Sequence, residues 1–187
     1  MIIGICGTQG AGKDAVALYL EERYGFANFS TSDEIRYVAR ERGLSTERPV
    51  LFEIANEIRM SHGLGEWARR ALVRAKKSGK ENTAITAIRH PCEIEALREE
   101  DRDFIMLAVD AERERRYERL SGRGRPGDNI NYDEFVRQEE AELTHPDPAG
   151  QQIRACIEAS DHRIMNDGTL EELDVLVDRL MSILHLR

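Results

Sequence analysis

The sequence is poor in cysteine and contains no long apolar run, and each absence excludes a class of protein. Its three cysteines, Cys6, Cys92 and Cys156, form neither a CxxC pair nor a zinc-binding spacing, and the five histidines add no metal-ligand pattern. We therefore expect reduced thiols and no structural metal. No apolar stretch approaches the roughly 20 residues that span a bilayer, and residues 1–5 lack the basic segment of a signal peptide. These absences predict a cytoplasmic protein without a membrane segment.

Lysine is also scarce: the 27 basic residues comprise 23 arginines and 4 lysines. Arginine binds phosphate in a bidentate manner that lysine cannot match, although nucleotide bias in a genome produces the same excess. Against 35 acidic residues, the formal charge is −8. Such a charge argues against a protein that coats nucleic acid, but it leaves room for a local basic groove.

Short apolar stretches alternate with helical patterns along the chain, and no repeat or linker divides its 187 residues. Strands are predicted over 2–6, 26–29, 83–88, 104–109 and 163–165. Helices are predicted over 13–24, 32–42, 48–61, 65–78, 91–100, 111–121, 132–143, 149–159 and from 169 onward. This alternation predicts an α/β fold, with a parallel sheet covered by helices on both faces. In such sheets ligands bind at the carboxyl ends of the strands.

A glycine-rich segment, Gly7-Thr8-Gln9-Gly10-Ala11-Gly12-Lys13-Asp14, follows the first strand and opens the first helix. This is the GxxxxGK pattern of a P-loop, the Walker A motif, whose backbone N–H groups surround phosphate oxygens. We expect Lys13 to reach the β and γ phosphates. Asp14 stands where serine or threonine is usual, and its carboxylate is a candidate ligand for Mg²⁺.

Polar residues also follow the second and third strands. Thr31 and Glu34 have the spacing of a capping box, which predicts a helix entered through a loop, with Arg36 one turn inside it. Arg89 comes directly after the strand over 83–88, at the edge where a parallel sheet presents ligand groups.

A third group of arginines surrounds the glycine-rich stretch over 122–131. Arg119, Arg123 and Arg125 stand on a helix end and the following loop, where they could close over transferring phosphates. The run over 112–119 is highly charged, and we expect its Arg113, Arg115 and Arg116 to be solvated.

Two short turns complete the motifs. Met165 to Thr169 joins the last strand to the last helix, where Thr169 and Glu172 make a second capping box. Asp110 ends the strand over 104–109. It is interpreted as the cap of the next helix rather than as a group near Mg²⁺.

Taken in order, these motifs resemble those of the P-loop nucleoside monophosphate kinase superfamily, which includes adenylate kinases and dephospho-CoA kinases. The resemblance implies a three-layer sandwich around a five-stranded parallel sheet in the order 2-3-1-4-5. It also implies a single kinase domain over 1–187. Its core would comprise 1–31, 80–121 and 145–187, with acceptor-binding helices over about 32–79 and a short lid over about 122–144.

The resemblance further assigns roles to residues. The phosphoryl acceptor would be contacted by Thr31, Asp33, Arg36 and Arg89. The turn of Asn166, Asp167 and Gly168 would pack on adenine, although a plain helix cap would have the same residues. The lid would contribute Arg119, Arg123, Arg125 and, from the following helix, Arg137. Catalysis would rest on Lys13, Arg89, Arg119 and Arg123, with Asp33 beside the acceptor.

Three functions remain open at this stage. The first is transfer of the γ-phosphoryl of ATP, with Mg²⁺, to a nucleoside or deoxynucleoside monophosphate, for which arginines suffice. The second is transfer to a hydroxyl of dephospho-CoA or of a modified nucleoside or base, even within DNA. This reaction needs a general base, and Asp33 is the candidate. The third is a nucleotide-binding module without catalysis. Neither the base of the acceptor nor the oligomeric state follows from these residues.

Overall fold

A five-stranded parallel sheet forms the centre of the protein in a computed structural model that describes residues 1–124 and 130–185. The strands pair in the order β2-β3-β1-β4-β5, and each neighbouring pair is parallel. The predicted fold class and strand order are thus confirmed. The strands are β1 (Ile2–Gly7), β2 (Ala27–Ser30), β3 (Thr83–Thr86), β4 (Ile105–Asp110) and β5 (His162–Met165).

Helices connect the strands at nearly the positions that the sequence predicts. They are α1 (Lys13–Tyr24), α2 (Thr31–Glu41), α3 (Arg48–His62), α4 (Glu66–Lys77), α5 (Pro91–Glu100), α6 (Arg113–Arg123), α7 (Tyr132–Leu143), α8 (Ile153–Glu158) and α9 (Leu170–His185). The helix predicted over 149–159 is shorter, and α6 extends into the segment predicted as a loop. Within the described ranges, no helix is both long and apolar enough to cross a membrane.

Two apolar layers cover the sheet because alternate strand residues point to opposite faces. One face carries Ile3 and Ile5, which pack with residues of α1 and α9 such as Leu20 and Val177. The other face packs against α4, α5 and α8, and its buried cluster includes Cys6 of β1. The carboxyl ends of the strands lie at one edge of the sheet, between the two apolar layers.

The helices α2, α3 and α4 enclose a separate apolar cluster. Trp67 lies at its centre, fully buried, and its indole N–H donates a 3.1 Å hydrogen bond to the carbonyl oxygen of Ala55. Ile54 and Ile58 belong to the same cluster, since spacings of three and four residues place side chains on one face of α3. Arg59, the neighbour of Ile58 on α3, is directed instead to the carbonyl oxygen of Ala149 and to Glu93 of α5.

The capping box predicted for Thr31 and Glu34 is wrong. Ser30 caps α2 instead, since its hydroxyl accepts a 3.2 Å hydrogen bond from the backbone N–H of Ser32. Glu34 pairs with Arg74 of α4 at 3.0 Å. A contact across the tertiary structure thus replaces the local one that the spacing suggests.

The second predicted capping box is confirmed. The backbone N–H of Thr169 donates to the Glu172 carboxylate at 2.8 Å, and the N–H of Glu172 donates to the Thr169 hydroxyl at 3.3 Å. It fixes the start of α9, directly after the predicted adenine turn.

Candidate nucleotide and phosphate site

The loop between β1 and α1 approaches neighbouring backbone so closely that its glycines cannot be replaced. Gly7 has φ of +136°, and a Cβ on it would overlap the carbonyl oxygen of Val109 in β4. Gly10 has φ of +81°, and a Cβ on it would lie 2.6 Å from the carbonyl oxygen of Arg116. Since only glycine combines positive φ with the absence of Cβ, the loop can pack directly on β4 and α6.

Lys13 folds back over this loop. Its ammonium donates hydrogen bonds to the carbonyl oxygens of Gly7 at 2.9 Å and Thr8 at 2.5 Å. Burial, followed by the positive charge of Arg89, lowers the pKa of Lys13 to about 8, while Asp14 acts in the opposite direction. Lys13 and Arg89 are thus close enough to influence one another, because β1 and β3 are neighbours in the sheet.

Asp110 ties the P-loop to the end of β4. Its carboxylate accepts a 2.5 Å hydrogen bond from the Thr8 hydroxyl and a 2.9 Å bond from the backbone N–H of Ala111. Its interpretation as the cap of α6 is wrong, since the N-cap residue of that helix is Glu112. The carboxylate faces the nucleotide loop because β4 lies beside β1 in the sheet.

The expectation that the whole arginine run of α6 is solvated is also wrong. Arg116 is buried, donates a 2.7 Å hydrogen bond to the carbonyl oxygen of Ala111, and pairs with Glu139 of α7. Arg113 pairs with the same carboxylate at 2.7 Å. Arg115 is exposed, as expected. Arg116 thus joins α7 to the helix that supports the P-loop.

The turn after β5 lies against the P-loop. The side-chain amide of Asn166 donates a 2.8 Å hydrogen bond to the carbonyl oxygen of Ala11, while Asp167 accepts a 2.6 Å bond from the N–H of Glu112. Arg119 of α6 donates a 3.1 Å hydrogen bond to the carbonyl oxygen of Gly168. The predicted adenine turn and the first arginine of the predicted lid therefore meet beside Gly12.

The other predicted lid residues lie farther from this meeting point or outside the described chain. Arg123 is the last residue of α6 and is exposed. Arg137 is exposed on α7, where it donates a 2.5 Å hydrogen bond to Glu134 one turn away. Arg125 lies outside the described residues. Their roles as a lid stay predictions.

Arg89 lies half-buried after β3, where the sequence places it. Its guanidinium donates a 2.9 Å hydrogen bond to the side-chain oxygen of Gln151. Burial lowers the pKa of Arg89 to about 10, and the charges of Arg48, Arg59 and Arg36 act in the same direction. Arg89 and these three arginines thus concentrate positive charge at the end of β3, beside the P-loop.

Strained backbone and a buried carboxylate hold Arg89 in position. Ala87 has φ of +61°, a conformation that non-glycine residues rarely adopt and that is typical of functional turns. Glu93 is fully buried and accepts hydrogen bonds from the backbone N–H of Arg89 at 2.8 Å and of His90 at 3.2 Å. Its other oxygen pairs with the guanidinium of Arg59 at 3.4 Å.

Thr31, Asp33 and Arg36 lie at the same edge of the sheet. The Thr31 hydroxyl donates a 2.7 Å hydrogen bond to the carbonyl oxygen of Ala87, so it braces the strained turn. Asp33 and Arg36 form a 2.8 Å ion pair whose side chains are 65% and 42% exposed. Both charged groups are therefore accessible to a ligand.

The loop over 144–152 is a part of the site that sequence reasoning missed. Besides the contact from Gln151, the backbone N–H of Gln152 donates a 2.8 Å hydrogen bond to the carbonyl oxygen of Arg89. The His90 ring accepts from the N–H of Cys92 through Nδ1, so its Nε2 donates to the carbonyl oxygen of Pro148 at 3.0 Å. The loop over 144–152 therefore forms one wall of the site around Arg89.

Arg48 and Arg59 of α3 were also missed. The spacing of 11 residues, about three helical turns, places them on one side of the helix, which is the only signal that the sequence offers. Arg59 is buried against Glu93, whereas Arg48 is 54% exposed.

The residues present fit a magnesium ion bound together with nucleotide phosphates. Among residues 1–124 and 130–185, no three His, Cys, Asp or Glu side chains are grouped to hold a metal on their own. Mg²⁺ commonly needs only one or two carboxylates, with phosphates and water completing its shell. Asp14 is exposed in the first turn of α1, beside Lys13, and meets that need.

Comparisons with known proteins identify the family of the chain. The AAA_18 family model, described as an AAA domain, matches residues 3–145. The UPF0200 protein of Pyrococcus horikoshii is 30% identical over 186 residues, which cover 97% of this chain and 96% of that protein. The UPF0200 protein of Thermococcus kodakarensis is 28% identical over 186 residues, which cover 97% of this chain and 97% of that protein.

Solved structures share the fold at low sequence identity. TT1252 of Thermus thermophilus superposes with a TM-score of 0.63 at 20% identity, covering 97% of this chain and 96% of that one. The shikimate kinase of Acinetobacter baumannii, in complex with shikimate, superposes with a TM-score of 0.58 at 18% identity, covering 100% of this chain and 95% of that one. The sheet order, the P-loop and the family matches together show that the chain belongs to the UPF0200 family and has the fold of P-loop NTPases.

Proposed function

We propose that this protein is an ATP-dependent kinase that transfers the γ-phosphoryl group to a nucleoside or deoxynucleoside monophosphate. The observation that carries the proposal is the proximity of Lys13 to Arg89. Lys13 belongs to the P-loop that follows β1, and Arg89 follows the neighbouring strand β3. The charge of Arg89 lowers the pKa of Lys13, as this placement leads one to expect. A donor phosphate on one side would therefore meet an acceptor phosphate on the other.

The donor side would act mainly by electrostatics. Backbone N–H groups of Gly7, Gln9, Gly10, Ala11 and Gly12 and the N-terminus of α1 would hold the ATP phosphates. Lys13 would exchange its two carbonyl partners for phosphate oxygens. Mg²⁺, held by Asp14, would supply further charge neutralisation for the transferring group.

The acceptor side would act mainly by positioning. Arg36 and Arg89 would bind the acceptor phosphate, which needs no general base because it is already ionised near neutral pH. Arg119, which contacts the turn of Asn166 and Gly168, would bring α6 to the nucleotide. Arg123, Arg125 and Arg137 would complete a lid over the transferring group.

A kinase acting on a hydroxyl is the second candidate, favoured by the exposure of Asp33. Its carboxylate stands 65% exposed at the acceptor edge and could accept a proton from a hydroxyl of dephospho-CoA or of a modified nucleoside. The fold similarity to a kinase crystallised with shikimate is compatible with this reaction. Its ion pair with Arg36 favours the first candidate, since a carboxylate that holds this arginine in place orients a phosphate-binding group and needs to accept no proton.

A panel of acceptors tests the proposal. ADP release from ATP and Mg²⁺ is measured with all nucleoside monophosphates, with dephospho-CoA and with DNA containing hydroxymethyl-pyrimidines, and Lys13→Ala serves as the inactive control. Stimulation by a nucleoside monophosphate supports the proposal. Stimulation only by a hydroxyl acceptor supports the second candidate. Nucleotide binding without turnover on any acceptor would indicate a module that binds nucleotides without catalysis.

A further inference from the structure

An ion pair joins the predicted acceptor helices to α7, which lies within the predicted lid. Arg48, the first residue of α3, pairs with Glu142, the penultimate residue of α7. The Arg48 side chain is 54% exposed and that of Glu142 is 15% exposed. A ligand can thus reach the arginine of this contact, whereas the carboxylate is largely buried.

Arg48 belongs to a row of side chains that faces the loop over 144–152. It shares one side of α3 with Phe52 and Arg59, because spacings of four and eleven residues return to the same side of a helix. The Phe52 ring lies 5.4 Å from the ring of His145, and Arg59 donates a 3.3 Å hydrogen bond to the carbonyl oxygen of Ala149. Gln151 of the same loop accepts a 2.9 Å hydrogen bond from Arg89, so the loop joins this side of α3 to Arg89. The positive charge of Arg48 acts with burial to lower the pKa of Arg89.

The three arginines around Arg89 differ in their freedom to move. Arg59 is buried with Glu93, and removing it from that carboxylate would leave a buried charge without compensation. Arg36 pairs with Asp33 on its own helix. Arg48 alone among these three pairs with a carboxylate of α7, through a half-exposed contact of a kind that contributes little to stability.

We propose that Arg48 is a ligand of the acceptor phosphate and that Glu142 competes with this phosphate for it. The inference rests on the proposed function and extends it, since it adds a residue that is absent from the sequence motifs. A phosphate offers Arg48 two negative charges and bidentate hydrogen bonds, so it can displace a single carboxylate. Binding of the acceptor would then exchange one ion pair for another and would loosen α3 from α7.

Calorimetry with inorganic phosphate as the probe tests this competition. The P-loop is first saturated with a non-hydrolysable ATP analogue and Mg²⁺, which also fills the γ-phosphate position, so that added phosphate reports on the acceptor side. Arg48→Ala should weaken phosphate binding by about three- to tenfold, and Glu142→Gln should strengthen it by about two- to fivefold, because the amide no longer competes for the arginine. The double variant should match Arg48→Ala, since Glu142 acts only through Arg48.

Arg42→Ala is the matched control. Arg42 forms a comparable ion pair with Glu57 of α3, at 2.6 Å and with side chains 38% and 58% exposed. Its removal should leave phosphate affinity unchanged. Thermal unfolding of each variant shows whether a loss of affinity reflects a loss of folded protein.

The outcomes separate this inference from the proposed function. If the ATP analogue binds and Arg89→Ala weakens phosphate binding while Arg48→Ala does not, the inference is wrong and the proposed function stands. Equal losses in Arg48→Ala and Glu142→Gln would also overturn it, since they would indicate a purely structural pair. If the unsubstituted protein does not bind the ATP analogue, the inference and the proposed function are both wrong. If it binds the analogue but not phosphate, the inference alone is wrong.

Discussion

The side-chain amide of Asn166 donates a 2.8 Å hydrogen bond to the carbonyl oxygen of Ala11, and its backbone N–H donates a 2.7 Å bond to that of Asp110. Through these bonds the turn after β5 supports the P-loop and the end of β4 together. The side chain of Asn166 is buried, so each lost bond would leave a backbone carbonyl without its partner.

Asn166→Ala should therefore weaken the donor site more than the acceptor site. Loss of the amide should lower the free energy of unfolding by about 1–3 kcal/mol and raise the KM for ATP several-fold, with a smaller change in the acceptor KM. Chemical denaturation and steady-state kinetics measure both effects. A change confined to the acceptor KM would contradict the assignment of this turn to the nucleotide.

How far the sequence predicts this site depends on how local each signal is. The P-loop from Gly7 to Asp14 is a contiguous pattern between a strand and a helix, and the structure places both elements as expected. Arg89 follows from the position of one strand. Each of these inferences needs only neighbouring residues and the general rule for parallel sheets.

The parts that sequence reasoning missed depend on contacts between distant segments. Gln151 contacts Arg89 only because the loop over 144–152 folds across β3. Glu34 has the spacing of a capping residue, but Arg74 of α4 provides a partner that local spacing cannot reveal. Arg116 resembles its solvated neighbours in sequence, and it is buried because Glu139 approaches from α7.

Lys13→Ala should reduce the transfer rate about a hundredfold, which corresponds to about 3 kcal/mol of lost transition-state stabilisation. The ammonium is the one P-loop side chain that would carry positive charge to the β and γ phosphates. Single-turnover kinetics at saturating ATP isolates this effect from binding. Full activity of the variant would exclude this loop as the phosphate site.

Nucleotide binding should weaken above pH 8. Burial lowers the pKa of Lys13 from 10.5 to about 8 in the empty protein, so the ammonium loses its proton there as the pH rises. ADP affinity should fall by up to about tenfold for each pH unit above 8, and Lys13→Gln should show no such slope. Titrations of the protein with ADP between pH 7 and 9.5 measure this loss of affinity.

The lowered pKa of Lys13 also predicts how the stability of the protein changes with pH. Between the folded pKa of about 8 and the ordinary value of 10.5, the unfolded chain binds more protons at Lys13 than the folded protein does. The contribution of Lys13 to stability should therefore rise with pH across that window. Denaturation of the wild type and of Lys13→Gln should diverge there, and parallel pH profiles would contradict the assignment.

Asp14→Ala should raise the Mg²⁺ concentration that gives half-maximal activity, because the metal would lose its one protein carboxylate. Asp14→Ser should partly restore the wild-type requirement, since a hydroxyl is the usual ligand at this position. Activity is titrated with Mg²⁺ at fixed ATP for the three proteins. Superimposable titrations for Asp14→Ala and wild type would remove Asp14 from the metal site.

Asp33→Asn distinguishes the two kinase reactions. A phosphate acceptor is already ionised near pH 7, whereas a hydroxyl must lose a proton during transfer, and a positioned base typically contributes about 10² to 10⁴-fold. Asparagine keeps the size of Asp33 and can still accept a hydrogen bond from Arg36, but it cannot take up the proton. For a nucleoside monophosphate kinase we therefore expect kcat to fall by less than about tenfold, with the main change in the acceptor KM.

Arg36→Ala and Arg89→Ala should each cause a larger loss than Asp33→Asn, because each would leave phosphate charge uncompensated. Steady-state kinetics on the best acceptor provides the measurement. A thousandfold fall in kcat with an unchanged KM would reverse the ranking and identify Asp33 as the base of a hydroxyl kinase.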